Sequence, residues 1–297
     1  MTKNSRSFFV LTLIFVIFFL AACSNALHPK NPKPLTDCEG KPITPYQADS
    51  STPEATLEIV EDTSSSIEEN VVSPIKEEIW QQLPEVLESQ NVTTLRAMHF
   101  ASNGWAPSKV FEAKLEKFQL PKMEQSISSK EMGKMKVIQE AQQKAREKEY
   151  ISKMSISLCA YRTAIKRTLS EQQPAFMNRS DLQSKNCTNI QGILERIAKF
   201  GNYSKPYLEL LITDGEDSCG KVVSIADPGK NVVLVIVLLP LKNENNAQSG
   251  FQQRKDALQA IAPWATIISP SEINNNLLTI LTRSKTQPEQ LVNSAQN

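Results

Sequence analysis

Histidine is almost missing from this chain, which carries only His28 and His99. A serine–histidine–aspartate hydrolase would have to use His99, and no Gly-x-Ser-x-Gly elbow is present to carry its nucleophile. Neither a Walker loop nor a glycine-rich dinucleotide fingerprint occurs, so the backbone cradles that hold nucleotide phosphates are missing. Cysteine is sparse, five in all and never as Cys-x-x-Cys, which argues against a thioredoxin-like centre and against a zinc ribbon. Charge of one sign is not in excess, since 33 Lys and Arg face 32 Asp and Glu. That balance gives no electrostatic footprint for nucleic acid or for a polyanionic surface. Beyond the N-terminus long hydrophobic runs are absent as well. Asn231 to Leu239 is the most apolar stretch after the leader, and it is too short to cross a membrane as a helix.

What is present begins with an address. Lys3 and Arg6 precede an almost unbroken apolar stretch from Phe8 to Leu20, the length of a signal-peptide core and short for a membrane span. Leu20-Ala21-Ala22-Cys23 follows and resembles a bacterial lipobox, which implies cleavage after residue 22 and lipidation of Cys23 with fatty acyl groups such as palmitate. The alternative is an ordinary signal peptide with an incidental cysteine. Ser24 after the cysteine resembles Gram-negative sorting patterns that direct a lipoprotein to the outer membrane. Loss of the leader removes two basic residues and no acid, taking the formal charge from +1 to about −1. Residues 23–54, with Pro29, Pro32, Pro34, Pro42, Pro45 and Pro53, read as an extended tether.

From residue 55 to 284 strands and helices alternate, the pattern of one three-layer α/β domain with a mostly parallel, doubly wound sheet and helices on both faces. The apolar run Thr56 to Val60 reads as a strand and Ile67 to Leu87 as a helix that Pro74 and Pro84 break or kink. Thr93 to Ala101 and Lys109 to Phe118, turning at Asn103-Gly104, read as an antiparallel hairpin at a sheet edge, with His99 and Trp105 as packing residues. Residues 122–172 read as a long helical insertion, charged and solvated in its first half and apolar enough to pack in its second. A helix over 190–200, a strand over 207–212, a buried central strand over 231–239, a helix over 250–262, a strand over 265–269 and a helix over 272–283 complete the domain. A polar tail, 285–297, ends the chain.

Three segments at element boundaries carry oxygen donors. Asp62-Thr63-Ser64-Ser65-Ser66 ends the first strand, Thr213-Asp214-Gly215 ends the strand over 207–212, and Cys187-Thr188-Asn189 precedes a helix. An open parallel sheet binds ligands beyond the carboxyl ends of its strands, so separated segments can meet there. Hydroxyls and carboxylates suit a hard divalent cation such as Mg2+, with Mn2+ or Ca2+ as substitutes, and not zinc or copper. The other reading of Asp62, Ser64 and Ser66 is that they cap the following helix. Glu61, Glu216 and Asp217 flank these segments and read as solvated loop acids.

The order Asp-x-Ser-x-Ser, Thr, Asp-Gly resembles the metal-ion-dependent adhesion site of von Willebrand factor type A domains. The resemblance implies Ser64, Ser66 and Thr188 as direct metal ligands and Asp62 and Asp214 in supporting or water-bridged positions. One coordination position would remain for a carboxylate of a protein partner. It therefore implies a non-enzymatic, lipid-anchored envelope protein that captures a partner through its metal. Without the metal, the domain or the long helix would serve a structural or assembly role, and a metal-dependent hydrolase would need a water-activating base that the sequence does not offer. Cys38, Cys159, Cys187 and Cys219 allow three pairings. Cys187 beside Thr188 and Cys219 shortly after Asp214 would lie near one another if the metal site forms, which favours a Cys187–Cys219 disulfide over free thiols or other pairs.

Overall fold

Six segments rich in β-branched and aliphatic residues form one sheet: β1 (Ala55–Asp62), β2 (Val92–Phe100), β3 (Ser108–Lys114), β4 (Tyr207–Thr213), β5 (Val232–Leu238) and β6 (Thr266–Ile268). Their order is β3-β2-β1-β4-β5-β6, all parallel except for the β2–β3 hairpin at the edge. The computed structural model describes residues 53–118, 136–178, 187–200, 204–220, 223–241, 247–274 and 276–286. The expected leader, Cys23 with its expected lipidation, nearly all of the tether, residues 122–135 and the tail after 286 lie outside the described residues. The chain divides into two units, residues 1–45 and 46–297, and the described residues belong to the second.

Helices cover both faces of the sheet. On one lie α1 (Glu69–Ser89), α2 (Lys136–Met177) and α5 (Leu277–Thr286), whose apolar residues join Leu57, Ile59, Leu208, Leu210, Val233 and Val235. On the other, α3 (Ile190–Lys199) and α4 (Ala247–Ile261) pack on Val60, Leu211, Leu234 and Ile236. Every residue of β4 and β5 is buried, as a parallel strand covered on both faces requires. The sequence expectation of an α/β, doubly wound, three-layer domain is met by this sheet.

Two expectations need correction. Pro74 and Pro84 do not break α1, which runs unbroken from Glu69 to Ser89. Each interior proline costs a helix about 3 kcal/mol. Val72, Ile75, Ile79, Leu83, Val86 and Leu87 are all buried against the sheet at roughly 1.5–3 kcal/mol each, which outweighs that cost. Trp105, expected to pack, is 42% exposed and lies under the Lys199 ammonium, 3.9 Å from its ring centroid.

The long helix α2 divides as its composition suggests. Residues 142–145 are exposed, whereas Leu158, Ile165, Leu169 and Phe176 are buried. Its packed half is fastened to α1 by the fork of Arg162 on Glu88, at 2.8 and 2.9 Å, and by Phe176 stacked 4.7 Å from Trp80. Among the described residues no helix is long and apolar enough to cross a membrane.

Candidate metal centre

The strand order reverses between β1 and β4, and the crevice beyond the carboxyl ends of those strands is where a doubly wound sheet takes its ligands. Asp62 is the last residue of β1, and Asp214 follows the last residue of β4. Both carboxylates are wholly buried. The Asp62 carboxylate is held at both oxygens, Oδ1 by the Ser64 N–H at 2.9 Å and Oδ2 by the Thr213 hydroxyl at 2.8 Å. Thr213 Oγ1 accepts in turn from the Gly215 N–H at 3.1 Å, and Asp214 Oδ1 accepts from the Glu216 N–H at 3.0 Å. Ser64 and Ser66 place their hydroxyls 2.8 Å apart. The turn after β1 is tied sideways by Thr63, whose N–H and hydroxyl both donate to the Phe100 carbonyl.

Thr188 joins this group through the Asp214 loop. Its N–H donates to Ser218 Oγ at 2.9 Å, and its carbonyl accepts from the N–H groups of Ser218 and Cys219 at 3.0 and 3.2 Å. The Cys187–Cys219 disulfide is present, with a Cα separation of 5.1 Å; Cys159 is also disulfide-bonded. The start of α3 is capped twice. Asn189 Oδ1 accepts from the Gly192 N–H at 2.7 Å, and Asp217 Oδ2, from the other loop, accepts from the Gln191 N–H at 2.7 Å. Two glycines permit this crowding. A Cβ at Gly104 would sit 2.2 Å from the Asn189 carbonyl oxygen, and Gly215 adopts a φ of 82° where a side chain would strike Leu238.

The acids flanking the site are not the solvated group that the sequence suggested. Glu61 points to the opposite face of the sheet, buried, where Lys76 Nζ lies 2.6 Å and His99 Nε2 3.4 Å from its Oε2. These partners hold its carboxyl below the usual range against the opposing effect of burial. Asp217 is a helix cap, and Glu216 alone is exposed. Helix capping does not account for Asp62: the residue before α1 is Glu68, which makes no capping bond, and the Asp62 carboxylate is turned instead to Ser64 and Thr213.

The donor set fits a hard divalent cation. It consists of two carboxylates and three hydroxyl side chains, with no sulfur or imidazole among them. Asp214 Oδ2 is buried and has no hydrogen-bond partner, so one carboxylate oxygen is left without the donor that burial demands. Burial, and then the nearby Asp214 carboxylate, push the Asp62 carboxyl up to about 7, against the hydrogen bonds from Ser64 and Thr213 that lower it. A cation would offset both costs. Among the described residues no group of three His, Cys, Asp or Glu side chains could hold a metal, so any ion here depends on the hydroxyls.

No family model matches the chain, and no curated protein matches it. Among solved structures it is similar to a von Willebrand factor type A protein from Catenulispora acidiphila, at 11% identity and a TM-score of 0.35, over 78% of this chain and 43% of that one. It is also similar to proximal thread matrix protein 1 from the mussel byssus, at 14% identity and a TM-score of 0.37, over 78% of this chain and 48% of the other. The chain thus spans less than half the length of either. The fold class rests on the strand order and on the helices of both faces, and neither likeness carries a functional argument.

Proposed function

We propose that this protein is a lipid-anchored envelope protein whose α/β domain binds Mg2+, with Mn2+ or Ca2+ as substitutes, and through it a carboxylate of a protein partner. Ser64, Ser66 and Thr188 would be direct ligands, and Asp62 and Asp214 would act largely through bound water. The observation that carries this reading is Asp214 Oδ2, wholly buried at the sheet's switch point with no hydrogen-bond partner. When bound, the ion supplies an electron-poor centre that accepts an anionic oxygen. The chain's own part is to hold the donors. Thr213 and the Ser64 N–H orient Asp62, and Ser218 orients Thr188. On this reading the site serves binding and not turnover. Acylated Cys23 would supply the anchor, with the outer membrane as the destination in a Gram-negative envelope.

Calorimetric titration of Mg2+, Mn2+ and Ca2+ into the protein tests the metal. Asp214→Asn is expected to lower the affinity about 10- to 100-fold, in line with loss of a supporting group. Capture of an envelope partner should disappear with EDTA and return with Mg2+. Equal heats for wild type and Asp214→Asn would refute the reading.

A further inference from the structure

Thr188 is the donor farthest in sequence from any strand end, and its placement depends on a strap. Cys187 immediately precedes it, and the disulfide partner Cys219 follows Ser218, whose hydroxyl and N–H hold both polar groups of the Thr188 backbone. The two half-cystines are only half-buried, whereas Thr188 is buried. The bond therefore stands within reach of a thiol while the donor that it positions does not. On the other side of Thr188, α3 has anchors besides its Asp217 cap. The Asn189 N–H donates 2.8 Å to the Ala101 carbonyl, and Ile190, Ile193, Leu194 and Ile197 are buried in the core. Opening the disulfide would thus leave α3 and the sheet in place and free residues 187–188 against the 217–219 turn.

Resting on the metal reading above, we propose that the Cys187–Cys219 disulfide is a redox control on that site, the oxidised form being the one that binds the cation tightly. The reductant is a dithiol. One thiolate attacks a sulfur of the bridge, forming a mixed disulfide and releasing the other cysteine as a thiolate that takes a proton. The second thiolate of the dithiol then displaces the remaining cysteine, and the dithiol leaves as its own cyclic disulfide, so two electrons and two protons have passed to the protein. In the reduced protein hydrogen bonds hold Thr188 to the turn, and these exchange with water as a covalent bridge does not, so the ligand hydroxyl samples positions away from the ion.

The test is calorimetry with MgCl2 on the full chain, first oxidised, then after dithiothreitol, then after reoxidation. Cys187→Ser with Cys219→Ser forms a second arm in which the Cys159 disulfide is left intact. Reduction and the double variant are each expected to weaken Mg2+ about 10-fold, the scale of a lost supporting contact, and reoxidation to restore it. Amide exchange on the reduced wild type should rise at residues 187–188 and 217–219 while β4 and β5 stay protected. Unchanged Mg2+ affinity after reduction, or unchanged exchange at those residues, overturns the redox control and leaves the metal site standing. An oxidised wild type that takes up no Mg2+ overturns the metal reading itself.

Discussion

Two pairs of acids belong to β1 and β4, one in mid-sheet and one at the carboxyl ends of the strands, and they are matched in different ways. Glu58 and Glu209 are register partners in mid-sheet, both fully buried. Their match is built into the chain. Arg196 of α3 donates to Glu58 and stands 3.7 Å from Glu209, and the Tyr207 hydroxyl donates to Glu58 at 2.6 Å. Arg96 approaches Glu58 from the β2 side at 3.8 Å. At the end of β1 and in the loop just after β4, the Asp62 and Asp214 carboxylates take hydrogen bonds from hydroxyl and backbone N–H groups, and Asp214 Oδ2 has no hydrogen-bond partner. Mid-sheet, a side-chain guanidinium is enclosed with its acids. At the strand ends the acids are buried among hydroxyls and backbone N–H groups instead. One acid pair is thus matched by a cation of the chain itself, and the other is the pair at which the proposed metal would act.

Breaking the inner pair is expected to give the largest effect. Arg196→Met keeps the bulk against Phe200, whose ring lies 4.9 Å from the guanidinium, but strands the Glu58 carboxylate. Removing one partner of a buried ion pair costs about 3–5 kcal/mol, to be measured by urea denaturation at neutral pH. A loss below about 1 kcal/mol would mean that Arg96 and Tyr207 suffice for Glu58.

A smaller effect of opposite sign is expected at Glu209. Burial first, and then the neighbouring Glu58, raise its carboxyl well above the ordinary range, and neither oxygen has a hydrogen-bond partner. A group raised in the folded state contributes stability that is complete below its unfolded value, about pH 4.3, and is lost as pH climbs through the folded value. Wild type should therefore weaken from about pH 4 upward. Glu209→Gln imitates the neutral acid and should flatten that slope, leaving the variant the more stable of the two at neutral pH. Parallel pH profiles for the two proteins would show that Glu209 is ionised in the fold.

The outer pair was legible in the sequence and the inner one was not, for a physical reason. Asp62, Thr213 and Asp214 end apolar runs, so the break from strand to loop marks them, and the rule that strand ends converge brings them together without knowledge of register. Glu58 and Glu209 interrupt apolar strands, and their meeting depends on which strands are neighbours and in what register. No local pattern encodes that across the intervening chain, nor does it announce Arg196 on a helix. Glu61 failed similarly: one residue before Asp62 it faces the other side, and Lys76, which meets it, lies within a helix. The disulfide was legible because both cysteines abut the loops. The prolines of α1 misled because local propensity was overridden by a buried face.

Thr213 was read as part of the Asp-Gly motif without a role of its own, and it offers the finest test of the comparison. Its hydroxyl donates to Asp62 Oδ2 and accepts from the Gly215 N–H, linking the end of β1 to the loop that carries Asp214. Thr213→Val keeps the shape and removes both bonds. The folded domain should lose roughly 2 kcal/mol, about 1 for each bond removed. If Thr213 positions Asp62 for a cation, Mg2+ affinity should fall about 10-fold as well, whereas Thr213→Ser, which retains the hydroxyl, should keep most of it. A valine variant that is less stable but binds Mg2+ as wild type does would reduce Thr213 to a strand residue. A joint loss of stability and affinity, rescued by serine, would make the outer acid pair a site organised by hydroxyls, in contrast to the guanidinium that serves the inner one.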